Sequence, residues 1–231
     1  MTAKKKVLEN SFFYIFSSLL VKAMGFLLLP IYTLYLTPDD YGVTNLVTGF
    51  VNVATFIIAF SLYSAAIRFY ADYKENRRKI KRLYGTLISF VFISGVVFLV
   101  IGFVFQNLVA KIFFSGIKFY PIILIAFLSA IFISLHLLHQ SMLQGMQQGR
   151  KLTKLNLAVF ALTATLQVAF IGIFKLGAVG FLLAQLVVNI GYFIYIIFDL
   201  KKKLVSNYVR NFHRVSKWFK PPGGSPEFVQ G

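Results

Sequence analysis

Apolar runs of about 20 residues recur along the chain between short polar or charged segments, and each is long enough as an α-helix to cross a hydrocarbon core of roughly 30 Å. The pattern predicts six membrane-spanning helices, at 12–36, 43–67, 83–105, 119–141, 155–174 and 178–198. Between them lie a short turn at 37–42, a basic loop at 68–82, a polar link at 106–118, a loop at 142–154 and a tight turn at 175–177. An even number of spans returns both ends to the same side. The expected fold is all-α and polytopic: a six-helix transmembrane lobe at 1–200, then a basic segment and flexible tail at 201–231. The last stretch, including Gly224, Ser225 and Pro226, reads equally as a vector-derived linker, a natural disordered tail or the end of an interrupted gene.

A helix surrounded by lipid is apolar all round, so a polar stripe at helical spacing marks a face turned toward other helices or a water-filled cavity. In the second span Asn45, Thr48, Asn52 and Thr55 recur at such intervals, and in the first Ser11, Ser18, Lys22 and Gly25 share a comparable face. The fourth carries Ser129, His136, Gln140 and Gln144, the fifth Asn156, Thr163 and Gln167, and the sixth Gln185, Asn189 and Tyr192. The third is bare and is expected at the periphery. Each polar group could simply bond a neighbouring helix, worth on the order of 1 kcal/mol, but five striped helices together point to a shared polar interior. Gly145 and Gly149 form a small-xxx-small pair, which suits either close helix approach or a polar turn.

Composition agrees with the pattern. Of 231 residues, 58% are hydrophobic and 13% charged, and mean hydropathy is +0.76. A net charge of +17 could suggest nucleic acid, but the basic residues are placed topologically. With the N-terminus cytoplasmic, 20 of the 24 Lys and Arg fall in segments on the inner side. Lys111, Lys118 and Lys175 fall outside and Lys22 lies within the membrane. That asymmetry is the positive-inside rule, so both ends are expected in the cytoplasm and no nucleic-acid partner is expected. There is no cysteine, which excludes disulfides and thiol chemistry.

Lys22 lies about 15 Å along its helix from Phe12, near mid-bilayer. A Lys there costs roughly 2.5–3.5 kcal/mol on insertion scales. It either reaches a water-filled vestibule or binds an anion in a central cavity. The seven acidic residues all fall at interfaces, in loops or in the tail, so none neutralises Lys22 within the membrane or supports a proton or sodium relay. His136 and His139 share a helix face, but without a carboxylate or Cys beside them they read as helix-to-helix hydrogen-bonding groups rather than a metal site. No phosphate loop, dinucleotide fingerprint, catalytic triad or metal cluster is legible, so neither a catalytic residue nor a cofactor is expected.

Three motifs carry a family resemblance. Lys22, Gly25 and Phe26 precede Pro30 and Tyr32; Tyr35-Leu36-Thr37-Pro38-Asp39-Asp40-Tyr41-Gly42 forms the first turn; Arg68-Phe69-Tyr70 ends the second span. Together they resemble the N-terminal signature of the Wzx-like polysaccharide-export flippases of the multidrug/oligosaccharidyl-lipid/polysaccharide superfamily. The resemblance implies two six-helix lobes facing a central cavity whose cationic lining accepts the pyrophosphate of a polyprenyl-linked oligosaccharide. It places Lys22 and, more weakly, Arg68 at the anion site, with Ser18, Gly25, Asn45, Thr48, Asn52, Thr55, His136, Gln140, Gln167, Gln185 and Asn189 lining the cavity.

The implied function is export of lipid-linked oligosaccharide or polysaccharide repeat units across the cytoplasmic membrane, this chain supplying the N-terminal half. Expected partners are that substrate, membrane lipids, and a second lobe or second copy. The alternatives are a half-length product with no transport of its own, and a membrane enzyme of lipid-linked glycan assembly. The latter would normally carry a large external loop, and the outer loops here are short.

Overall fold

A computed structural model describes residues 12, 13, 15, 16, 19, 23, 26, 28–73, 76–114, 117 and 119–218, without the side chains of 77 and 201–218. Among these residues the chain is helical with no strand. After helical residues 28–35 come α1 (Pro38–Ala59), α2 (Leu62–Tyr73), α3 (Arg77–Val104), α4 (Gln106–Phe113), α5 (Leu124–Gly145), α6 (Gly149–Gln167) and α7 (Gly177–Trp218). A π turn, Phe119–Ile123, leads into α5, and another, Val168–Ile173, extends α6. Two compact units result, Met1–Phe193 and Ile194–Gly231, and the contacts below all belong to the first.

Five helices among the described residues are long and apolar enough to cross a membrane: Pro38–Ala59, Arg78–Val104, Phe119–Gly145, Gly149–Ile173 and Gly177–Leu200. They correspond to the second to sixth expected spans. The first, 12–36, lies largely outside the described residues, but its described members meet α6 in sequence order. Phe13 O accepts from Thr153 Oγ1 at 3.0 Å, Tyr32 OH donates to Gln167 Oε1 at 2.8 Å, and a Cβ on Gly172 would sit 3.9 Å from the Tyr35 ring. Where it is described, this segment therefore runs parallel to α6, as alternating spans one and five must.

α5 is the central helix. Leu135, Leu138 and Met142 are fully buried against Val47, Val51 and Ile58 of α1, Val91 of α3 and Leu182 of α7. α3 turns Ile93, Val97, Val100 and Val104 outward, the face suited to lipid on a peripheral helix.

The second expected span is not one helix. Its start is well specified: Thr37 is the N-cap, Pro38 fills the first turn, and Thr37 and Asp40 form a reciprocal capping box. Its end is not. α1 stops at Ala59, Phe60 and Ser61 both take left-handed backbone (φ 45° and 58°), and α2 starts again at Leu62. Neither residue is Gly or Asn, and such a conformation costs roughly 1–2 kcal/mol each. Packing offsets it: the redirected α2 buries Ala66 completely and lies against Gly145, where a Cβ would come within 3.3 Å of Ile67 Cα. Of the two readings of the small-xxx-small pair, Gly145 takes close approach.

Other boundaries shift as well. The expected basic loop 68–82 is helical at both ends, with a corner capped by Asn76, whose Oδ1 accepts Lys79 N at 3.2 Å. The expected polar link 106–118 contains α4, which exposes Leu108, Ile112 and Phe113, as an interfacial amphipathic helix does. α7 runs on as helix to Trp218, beyond the expected end of the last span at 198.

Candidate functional site

Lys22, Ser18 and Gly25 lie outside the described residues. The other expected cavity residues distribute over separate places rather than one shared interior.

The densest polar cluster ties α5 to α6 and α7. Gln140 Nε2 donates to Asn156 Oδ1 at 3.0 Å and lies 2.9 Å from His136 Nε2. An amide nitrogen only donates, so His136 Nε2 accepts, and the ring hydrogen resides on Nδ1. That Nδ1–H then donates to Asn189 Oδ1 at 3.0 Å, and Asn189 Nδ2 closes the chain on Gln185 O at 2.8 Å. One helical turn along, His139 Nδ1 sits 2.9 Å from Tyr192 OH, and the Tyr192 ring packs 3.9 Å from the His136 ring. Both His pairs span 53 residues, so α5 and α7 hold this register over two successive contacts. His136, Gln140 and Asn189 thus act together as an interhelical bond chain, with Gln185 contributing its backbone.

Gln140 also lines a groove of about 370 Å³ between α1, α2 and α5, with Asn52, Thr55, Tyr63, Ser141 and Gln144. Its walls are neutral: among the described residues no charged side chain lines it. The groove lies beside the break between α1 and α2, and Tyr63 OH donates across that break to Thr55 O at 3.3 Å.

The remaining positions stand apart. Gln167 is buried and accepts from Tyr32, whose ring meets Phe181 edge-on at 5.2 Å. Thr48 donates to Thr44 O at 2.7 Å within its own helix. Asn45 borders an almost wholly apolar cleft of about 520 Å³ between α1, α3 and α4. Arg68 is exposed on α2, beyond the helix break rather than at the inner end of a continuous span. Among the described residues no group of His, Asp and Glu could hold a metal ion.

Sequence reasoning missed Tyr63 and Ser141. Tyr63 lies eighteen residues, five full turns, beyond Asn45 and so on the stripe's own face of a continuous helix, a signal that could have found it. Ser141 is next to Gln140 and off its stripe, a short side chain whose place only packing reveals.

No characterised protein and no solved structure matches the chain. Residues 7–220, nearly its whole length, match the family model described as polysaccharide biosynthesis protein. With five apolar membrane-length helices and polar residues buried between them, this multi-pass membrane protein belongs to the polysaccharide biosynthesis protein family, the family of the Wzx-like flippases.

Proposed function

We propose that the chain is the N-terminal lobe of a flippase that moves polyprenyl-pyrophosphate-linked oligosaccharide or polysaccharide repeat units across the bacterial cytoplasmic membrane. The family match over residues 7–220 carries this reading. Transport of this kind makes and breaks no covalent bond. The protein has to replace the water around a sugar-pyrophosphate headgroup with polar groups and positive charge while the hydrocarbon tail stays in lipid.

The distribution of basic residues supports an orientation with the N-terminus and the end of the lobe in the cytoplasm, since 20 of 24 fall in the segments that would then be inside. Lys22 is the anion-binding group, unneutralised by any acidic residue within the spans, and Arg68 is secondary to it. The neutral groove on α1, α2 and α5 supplies hydrogen bonds to the headgroup. Alternating access by rocking needs two bodies, so the lobe works with a second six-helix lobe or a second copy of itself.

Complementation tests this in a bacterium lacking its own polysaccharide flippase, with surface glycan as readout and the chain expressed alone or with a C-terminal lobe. Rescue is expected, and Lys22→Ala abolishes it while membrane insertion stays intact. Arg68→Ala has the milder effect. Lys22→Ala with wild-type activity would sink the anion-site assignment.

A further inference from the structure

The neutral groove has a polarity that its residue types alone do not reveal. Three hydroxyl groups line it, and each has already donated its hydrogen to the backbone: Thr55 Oγ1 to Asn52 O at 2.7 Å, Ser141 Oγ to Leu137 O at 3.1 Å and Tyr63 OH to Thr55 O. A hydroxyl has one hydrogen and two lone pairs, so what these three still offer is acceptor capacity. Gln140 adds to the same side of the balance. Both its amide hydrogens are taken, by His136 and Asn156, and Oε1 makes no hydrogen bond to the described residues. Asn52, exposed and with its amide unbonded among the described residues, supplies a free donor, and Gln144, which is itself partnered, adds a second amide to the lining. The C-terminal end of α1 and the N-terminal end of α2 meet here, so their dipoles offset and the side-chain acceptors set the sign.

An acceptor-rich, uncharged wall repels a phosphate, which brings only acceptors, and favours a ligand dense in O–H donors. We propose that this groove is a polyol-binding subsite, taking the hydroxyl-bearing sugar portion of the substrate and excluding its pyrophosphate, which is held elsewhere. This assignment rests on the flippase reading but deepens it: the headgroup is divided between a cationic place for its charge and this groove for its hydroxyls. An ammonium group also presents donors to acceptors, and the test has to separate it from a sugar.

The full chain in phospholipid nanodiscs is titrated with three amphiphiles sharing one alkyl chain: an alkyl maltoside, an alkyl phosphate and a primary alkylammonium. Each is kept below its micelle-forming concentration, and bound ligand is counted by native mass spectrometry. Asn52→Ala removes an exposed amide with no bond to the described residues, and Thr55→Val keeps shape while removing a hydroxyl. Each variant is expected to weaken maltoside binding by about three- to tenfold, the value of one neutral hydrogen bond. Phosphate binding should not change.

No maltoside binding by the wild type, unchanged maltoside binding in both variants, or equal weakening of maltoside and phosphate overturns the assignment. So does preferential weakening of the alkylammonium compound, which makes the groove a cation site. If complementation succeeds while these variants leave maltoside binding alone, the groove assignment falls and the flippase reading stands. The reverse pattern removes the flippase reading and leaves a polyol site.

Discussion

Asp40 Oδ1 accepts the backbone N–H of Ala178 at 3.0 Å, joining two turns 138 residues apart. Its other oxygen accepts from Thr37 OH at 2.8 Å and from Thr37 N at 3.3 Å. One carboxylate therefore caps the start of α1 and the start of α7 at once. Both turns belong to the set that the positive-inside pattern assigns to the same face, and this bond brings them together.

Loss of that double cap should be costly. Asp40→Ala removes a capping box, worth about 1 kcal/mol, and leaves the Ala178 N–H without its acceptor, worth roughly 1–3 kcal/mol more. Thermal unfolding of the purified protein should show the loss, with Asp40→Asn milder because its amide oxygen still accepts.

Gly177 is tied to the same carboxylate. Its φ is +54°, and an added Cβ would sit 2.8 Å from Asp40 Oδ1. Gly177→Ala should destabilise by at least about 1 kcal/mol from the left-handed backbone alone. Since part of the cost is crowding against Asp40, the double variant with Asp40→Ala should lose less than the two single losses added together.

The break between α1 and α2 predicts an unusual sign. Glycine inside a continuous helix lowers stability by roughly 0.5–1 kcal/mol. At Ser61, with φ 58°, Ser61→Gly should instead raise it by about 1 kcal/mol, and Ser61→Val should lower it. Unfolding of the pair reads out whether the chain is broken here.

The bond chain through His136 fixes a tautomer. ¹⁵N spectra of the histidine ring should find the hydrogen on Nδ1, because Nε2 accepts from Gln140. Gln140→Leu should cost about 0.6–2 kcal/mol, the range for polar contacts between membrane helices, and should release the ring from that single tautomer.

Much of the architecture was legible from sequence because the bilayer imposes a simple rule: backbone groups in hydrocarbon must bond within their own helix, so apolar runs of membrane length declare themselves. The existence of spans three to six followed from this, whereas the turn expected at 37–42 shrinks to residues 36 and 37, because Thr37, Pro38 and Asp40 start α1 there. The charge pattern added which turns share a face, and the motifs around Pro38 and Arg68 pointed to the family. What periodicity could not supply was the partner of each polar residue. A stripe such as Asn45, Thr48, Asn52, Thr55 reports a common helix face. It does not say that Thr48 bonds its own helix, that Asn45 borders an apolar cleft, or that Asn52 and Thr55 line a polar groove.

Tertiary structure decided those pairings, and it decided the break at Phe60 and Ser61, where no local signal disfavours helix. There the burial of Ala66 and the close approach at Gly145 outweigh a local cost of a few kcal/mol. Local sequence sets which elements can form, because helix propensity, capping and lipid partition act over a few residues. The hydrogen-bond partners and the shape of the groove are properties of helices meeting across 50 to 140 residues, and no window of the chain contains both sides of such a contact.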